Sequence, residues 1–543
     1  MYALNIFCRK QMLPIAIFLY LLSNADSFIS PPYVSRHFLR LRQKELNLDA
    51  TEEWCPNEKW ITESWFTQPL DHFNVSDTRT YGQRYFLNWK FIKSPSDLKS
   101  TKQIPIFLMI GGEWEMEKEW ICSDGMTFMQ AAKDHNALVV MLEHRFFGKN
   151  KDMPDLSTKN LTYLTTSQAI SDIAAFIEGF TNQEHLVNPR WVAFGGSYPG
   201  ALCAWLRVKH PNLTVGNICS SAVIGPKLDY WEYDKIVARD LMETSEECHH
   251  STKLAFKEIR NATYYSEGRA ELSRIFRIDP PLTANPNDLR MFLYMCQMNF
   301  ECASQNGTQQ LGRVCQMMND NAIGRMQRVA NVIDFVGCRA SIYKNETTDV
   351  NYERNMEWMR NTSIDFELNF WRGWIWLCCN ELGYFHTTDG NGIFGDLISL
   401  GSYVKYCVDM FGSPMSPDYI QERVALTEHT YGLPSDYNES NVCFTRGTYD
   451  PWLSAGISMS RPEQHQLLLT SKGASHMHDM YAPMDSEPAD LALTRQRIRE
   501  EVTYYLNSAL QLEAEKINGS VVSSVPAGLL LGFWLVRTFV PFL

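Results

Sequence analysis

One serine in this chain sits where a nucleophile could. It is Ser197, in the stretch Trp191-Val-Ala-Phe-Gly-Gly-Ser197-Tyr-Pro-Gly-Ala-Leu-Cys-Ala-Trp205. A serine hydroxyl attacks a carbonyl only when a histidine takes its proton and an acid orients that histidine. The chain supplies both types downstream: Asp450 in Arg446-Gly-Thr-Tyr-Asp-Pro-Trp452 and His476 in Lys472-Gly-Ala-Ser-His-Met-His-Asp479. The chemistry would be acyl transfer. Its oxyanion would be held by the backbone N–H of Tyr198 and a second from the Gly111-Gly112-Glu113 turn, Gly112 being the candidate; one such donor is worth about 3 kcal/mol of barrier. His478 and Asp479 compete for roles. With His476 they could hold a metal, but three close ligands without a fourth elsewhere make a poor zinc set, so no metal site and no cofactor are expected. His476 is preferred over His478 as the base because it lies nearer the preceding strand.

These side chains need elements that bring them together. Trp191 to Phe194 reads as a buried strand and Tyr198 to Lys209 as a helix, with Gly195-Gly196-Ser197 as a sharp turn presenting the hydroxyl. That is a nucleophile elbow of the G-x-S-x-G kind, with Pro199 in place of the second glycine. Proline is tolerated in a helix's first turn, where its missing N–H would go unpaired anyway. The competing reading is a glycine-rich strand-to-helix turn with an idle serine. Ile104 to Ile110 and Ala137 to Leu142 are continuous apolar runs of the sort that parallel strands show. Ala169, Ile170, Ile173, Ala174, Ile177 and Phe180 recur at helical spacing, which predicts a crossover helix. Val215 to Ile224 reads as a further strand, and Phe66 to Trp89 as a first hairpin in which Asp71 and His72 have a structural role. Asp450 and His476 then follow the strands expected at 441–444 and 466–470, and an amphipathic helix at 494–512 closes the domain. Alternating strands and helices with chemistry in the order Ser, Asp, His describe the α/β-hydrolase fold.

Composition sets limits. At 543 residues, with 45% hydrophobic content, 15 tryptophans and 29 phenylalanines, the chain can fill more than one core. A net charge of -12 argues against a nucleic-acid partner. Arg9 and Lys10, the apolar run Met12 to Leu22 and small or polar residues to Ser27 form a secretory signal peptide, 1–27. Secretion accounts for the cysteines: thirteen of the 14 remain after the signal, so disulfides are expected with one thiol left over. N-glycosylation sequons begin at Asn74, Asn160, Asn212, Asn261, Asn306, Asn345, Asn361 and Asn438. Residues 28–50 are basic and read as a pro-segment or a surface strap.

From about 229 to 425 sheet-like runs are scarce, while charge, Met, Trp and Cys abound. This predicts a helical, disulfide-braced cap inserted between the two parts of the hydrolase domain, 28–228 and 426–512. Within it Trp371 to Glu381 is aromatic enough to line a pocket or to form the cap's own core. The apolar tail, 513–543, reads as a GPI signal, a membrane helix or a sticky end, so membrane attachment is expected as readily as free secretion, in a lysosome or at a cell surface.

Taken together, Phe66-Thr-Gln-Pro-Leu-Asp-His-Phe73, Glu143-His-Arg-Phe-Phe-Gly148, Gly195-Gly-Ser-Tyr-Pro-Gly200, Arg372 to Glu381, Asp450-Pro-Trp452 and Ser475-His476 resemble the prolyl serine peptidases that include lysosomal Pro-Xaa carboxypeptidase, dipeptidyl peptidase II and thymus-specific serine protease. The likeness spans roughly 65–510 and is strongest to the thymus-specific branch. It implies a serine-type exopeptidase acting on peptides at a prolyl bond near a terminus, and a triad on Ser197, Asp450 and His476; a homodimer is a separate expectation. Trp114 stands where that family has glycine after its Gly-Gly-Glu turn, a change expected to narrow the mouth of the site. Cys378 stands for a common threonine and is the candidate unpaired thiol, and Gly373 and Leu377 replace polar residues. A secreted esterase or amidase of other specificity, and a non-catalytic binding protein, remain as alternatives, because fold does not settle substrate.

Overall fold

Eight strands form one sheet: β1 (Ile61–Pro69), β2 (Thr80–Asn88), β3 (Pro105–Ile110), β4 (Leu138–Leu142), β5 (Arg190–Gly196), β6 (Gly216–Ser220), β7 (Val442–Gly447) and β8 (Gln466–Ser471). This computed structural model describes residues 58–92, 104–338, 342–344, 347–363, 366–388 and 392–524. The signal peptide, residues 28–50, Asn345 and the tail from 525 lie outside them. The strand order is β1-β2-β4-β3-β5-β6-β7-β8. β2 pairs antiparallel with β1 and β4, and every other pair is parallel. This is the doubly wound α/β-hydrolase sheet.

The apolar runs are continuous because the sheet is covered on both faces, and side chains still alternate. Ile106, Leu108, Val140, Trp191 and Ala193 belong to one core. Phe107, Met109, Val139, Val192 and Phe194 belong to the other. Helices α1 (Thr127–His135), α2 (Thr166–Gln183) and α3 (Tyr198–Lys209) serve these faces. Ile170, Ile173 and Ile177 of α2 pack on the first core, as the helical spacing predicts, and the Thr165 side chain caps α2 by accepting from Gln168 N. Phe128 and Met129 of α1 and Ile498, Val502 and Tyr505 of the last helix cover the second core.

Between Lys227 and Val442 the chain is mostly helical, with strands of only three residues each at Lys227–Asp229, Ile342–Lys344, Thr347–Asp349 and Gly383–Phe385. Helices α4 (Glu232–Thr244), α5 (Pro286–Asn306) and α6 (Phe366–Leu377) matter most below. Disulfides Cys248–Cys315, Cys302–Cys338 and Cys379–Cys407 tie this region together, and Cys122 is also disulfide-bonded. The last helix, α7, runs Asp490–Ser524.

Several expectations need correction. The strand expected at 215–224 stops at Ser220, where pairing with β7 ends and Ser221, at φ 44°, turns the chain out of the sheet. Asp71 and His72, given a structural role, lie in the β1–β2 connection and both bind α2: Gln168 Nε2 donates to Asp71 Oδ1 at 2.6 Å and His72 Nε2 is 2.7 Å from Asp172 Oδ1. Among the described residues five cysteines, Cys203, Cys219, Cys296, Cys378 and Cys443, are buried free thiols, where one was expected; burial shields them from oxidants. Asn306, at the end of α5, is only 7% exposed. Asn74, Asn212, Asn261, Asn361 and Asn438 are exposed and Asn160 is half-buried, donating to Asp155.

Candidate active site

Ser197 stands between β5 and α3 with φ 63° and ψ -127°. A side-chain-bearing residue at positive φ is strained, and here the turn it makes lifts the hydroxyl above the sheet. Its N–H donates to Ser220 O at 2.9 Å. Glycines let the chain crowd: a Cβ on Gly196 would overlap the sulfurs of Met480 and Met477, and a Cβ on Gly112 would overlap the Pro199 ring. The Gly111-Gly112-Glu113 turn is thereby packed against the first turn of α3, with Gly111 N–H bonded to Leu142 O at 2.8 Å. Tyr198 N opens α3, where backbone N–H groups have no intrahelical partner.

Asp450 follows β7 and His476 follows β8, and the structure brings them together. His476 Nδ1 lies 2.9 and 3.0 Å from the two Asp450 oxygens, with both side chains buried. Asp450 Oδ1 also accepts from Trp452 N at 3.0 Å. With Nδ1 turned to the carboxylate, Nε2 is the free face of the ring, and it has no hydrogen-bond partner among the described residues. The neighbouring residue Met477, at φ 56°, donates its N–H to Ser221 Oγ at 3.0 Å and lays its sulfur against Gly196. The histidine loop therefore sits on the elbow itself.

The competing residues point elsewhere. His478 Nδ1 accepts from Ser475 N at 3.3 Å and its ring packs against Gly307. Asp479 Oδ2 accepts from Ser220 Oγ, at the end of β6, at 2.6 Å, and burial raises its pKa. Among the described residues no group of three or more His, Cys, Asp or Glu side chains could hold a metal ion.

A cavity of about 210 Å³ opens on Ser197. Trp452 from the sheet side and Tyr233, Tyr384, Trp371 and Trp374 from the helical region line it. The aromatic stretch thus divides its labour: Trp371, Trp374, Ile375 and Cys378 face the cavity, while Trp376 is buried and donates to Leu164 O at 3.0 Å. Arg372 is structural too, donating to Leu156 O and Met359 O. Trp114 is not among the lining residues; it packs against the core. Glu113 does line the cavity, and burial without a neighbouring cation pushes its carboxyl up to about 8.

Three features escaped the sequence. His144, quoted only within a motif, props the elbow: its Nδ1 faces Arg145 O at 2.8 Å, so Nε2 accepts from the Tyr198 hydroxyl at 3.0 Å, and burial lowers its pKa to about 4. The C-terminal end of α5 holds the histidine loop. Ser475 Oγ is 2.7 Å from Ser304 O and 3.0 Å from Gln305 O, and Gln305 Oε1 accepts from Trp452 Nε1 at 3.2 Å. Buried Glu301 and half-buried His386 pair in the cavity wall, 3.4 Å apart, with His386 stacked on Tyr233. No motif marks such partners, because they meet only through the tertiary fold.

An eight-stranded sheet of this order, with a strained serine elbow and a histidine–aspartate pair after its last two strands, defines an α/β-hydrolase. More particularly, the chain belongs to the serine carboxypeptidase S28 family, which matches residues 68–498. It is a serine peptidase. It is 35% identical over 461 residues to the Caenorhabditis elegans protein named "Putative serine protease F56F10.1", covering 81% of this chain and 84% of that one. It is 27% identical over 470 residues to the thymus-specific serine protease of Mus musculus, covering 82% and 87%. With the lysosomal Pro-X carboxypeptidase of Mus musculus it shares 25% identity over 452 residues, covering 79% and 86%.

Proposed function

We propose that the protein is a serine exopeptidase with a preference for prolyl bonds, in which Ser197 is the nucleophile, His476 the base and Asp450 the residue that orients it. The observation that carries this reading is the Asp450–His476 pair at 2.9 Å, on a loop packed against the Ser197 elbow. His476 Nε2 takes the Ser197 proton as Oγ attacks the carbonyl carbon. The tetrahedral oxyanion accepts from the N–H groups of Tyr198 and Gly112. The C–N bond breaks as His476 returns the proton to the leaving amine, and water repeats the sequence on the acyl-enzyme. Buried Asp450 keeps the imidazole in the tautomer with Nδ1–H and stabilises its charged form.

Terminal cleavage is supported by the cavity on Ser197, about 210 Å³ and walled in part by residues of the helical region, 229–425 in this reading, a size suited to a short peptide segment. The prolyl preference rests on the rings of Trp452, Tyr233 and Trp374, flat apolar surfaces suited to a rigid pyrrolidine, and on the relative named as a Pro-X carboxypeptidase. The disulfides fit the secretory pathway. Among the described residues no helix is long and apolar enough to cross a membrane. Attachment through the apolar tail, 513–543, and dimer formation belong to this proposal as well.

The test uses purified protein and peptides with proline either next to last or second, with products read by mass spectrometry at pH 5 and pH 7. Fluorophosphonate labelling of wild type and Ser197→Ala runs in parallel. We expect labelling to vanish in the variant and proline peptides to be trimmed at one end. Labelling that persists in Ser197→Ala would remove the serine from its role.

A further inference from the structure

The cavity above Ser197 is lined by two carboxyls and two cations, and they differ in how far they are satisfied. Arg290 is engaged on all three nitrogens: Nε donates to Pro286 O, Nη1 to Ser402 Oγ and Nη2 to Asn287 Oδ1, at 3.1, 3.2 and 2.9 Å. Lys405 is bonded to Asp409 at 2.5 Å. Glu301 accepts from Gln297 at 2.8 Å and faces His386. Glu113 is different. It is 5% exposed, and its Oε2 has no hydrogen-bond partner among the described residues. A buried acceptor left unmade is costly, and this one lies one residue beyond Gly112, the residue that packs on the elbow. A fold that buries such a group beside a nucleophile has left it for something that arrives.

We propose that Glu113 receives the free α-ammonium group of the substrate, so that the cavity takes the amino end of a peptide and the enzyme releases a short N-terminal piece. This rests on the reading of Ser197 as an exopeptidase nucleophile. An ammonium group supplies three donors and a positive charge to a carboxyl that has no cation beside it and an Oε2 without a partner among the described residues. A peptide's C-terminal carboxylate would instead meet Glu113 and Glu301 across the cavity, while Arg290 and Lys405 are held by other partners and His386, the histidine of the wall, turns its Nδ1 to Glu301. The residue whose carbonyl is attacked then belongs to the retained N-terminal piece: Ser197 Oγ bonds to that carbon, the amine of the following residue leaves with the proton from His476, and water releases the short acid. The pKa of about 8 for Glu113 agrees with a site that has no cation until substrate brings one.

The experiment compares one proline-containing peptide in three forms, free at both ends, N-acetylated and C-amidated, on wild type and on Glu113→Gln. We expect acetylation to lower kcat/KM about 10- to 100-fold on wild type, the worth of a charge-assisted hydrogen bond, and amidation to leave it unchanged. Glu113→Gln loses most of the preference for the free over the acetylated peptide while still labelling with fluorophosphonate. Release of a C-terminal residue, with amidation blocking it, overturns the proposal. So does an unaltered preference in Glu113→Gln, and should that variant not fold, the wild-type comparison decides alone. Failure of the underlying reading looks different: wild type that does not label, or internal cuts indifferent to both blocking groups.

Discussion

The Asp450–His476 pair makes sharp demands on single substitutions. Ser197→Ala and His476→Ala are expected to abolish peptide hydrolysis while the far-UV circular dichroism stays that of wild type. Asp450→Asn keeps the shape but favours the wrong imidazole tautomer, and should lower kcat by about 10³- to 10⁴-fold. His478→Ala is the contrast: its ring packs on Gly307, away from the elbow, so kcat should remain near wild type while Tm falls. A dead His478→Ala enzyme with an active His476→Ala would reverse the assignment of the base. At this scale the sequence was informative where chemistry forces a residue type and order. Ser197, Asp450 and His476 could be chosen because each follows a strand. Glu113 could not be read as a site, since its meaning lies in an unmet acceptor, and burial is a property of the fold.

Among the elements, the elbow and the turn beside it set the tightest tolerance. Gly112→Ala would drive a methyl into the Pro199 ring, which cannot rotate away as a methionine side chain can. The turn must retreat and its N–H with it, so we expect acyl-enzyme formation to slow by about 10²-fold or more, measured as the burst rate with an activated ester. Strands β3, β4, β5, β7 and β8 were legible as apolar runs, and α2 and α3 as periodic or capped segments. Boundaries were less so. β6 ends at Ser220 because its neighbour stops pairing, and no residue in Ser221 to Ile224 announces that. The five free thiols were illegible for a related reason: pairing depends on which cysteines the packing brings within reach, and parity says nothing of that.

For the molecule as a whole, buried carboxyls predict how stability follows pH. Burial raises Glu113 to about 8 and Glu143 and Glu381 to about 7, so in the folded state they keep protons that the unfolded chain gives up near 4.5. Unfolding then releases protons, and stability falls as pH rises toward the folded values. Buried His144, lowered to about 4, acts in the opposite sense up to about pH 6.5. Between pH 6.5 and 8 the carboxyls act alone, so Tm should decline there, at up to about 1.4 kcal/mol per pH unit for each group still holding its proton. Glu113→Gln should flatten the decline, and a Tm that rises between pH 6.5 and 8 would contradict the argument. The disulfides make a separate demand. Cys248–Cys315 closes a separation of 67 residues, and in the chain-entropy view such a crosslink contributes about 3–5 kcal/mol. Reduction should loosen the helical region first, seen as hydrogen exchange rising in α5 before β5.

The Ser475 hydroxyl, resting on the carbonyls of Ser304 and Gln305, bears on what can be trimmed from this protein. A version pared down to the sheet and its covering helices would keep the serine on its elbow and lose the floor beneath the histidine. Shortening the chain to admit bulkier substrates would therefore produce a hydrolase with a wandering base. Access would have to be widened at the rings of Trp371 and Trp374, one side chain at a time, with α5 left whole.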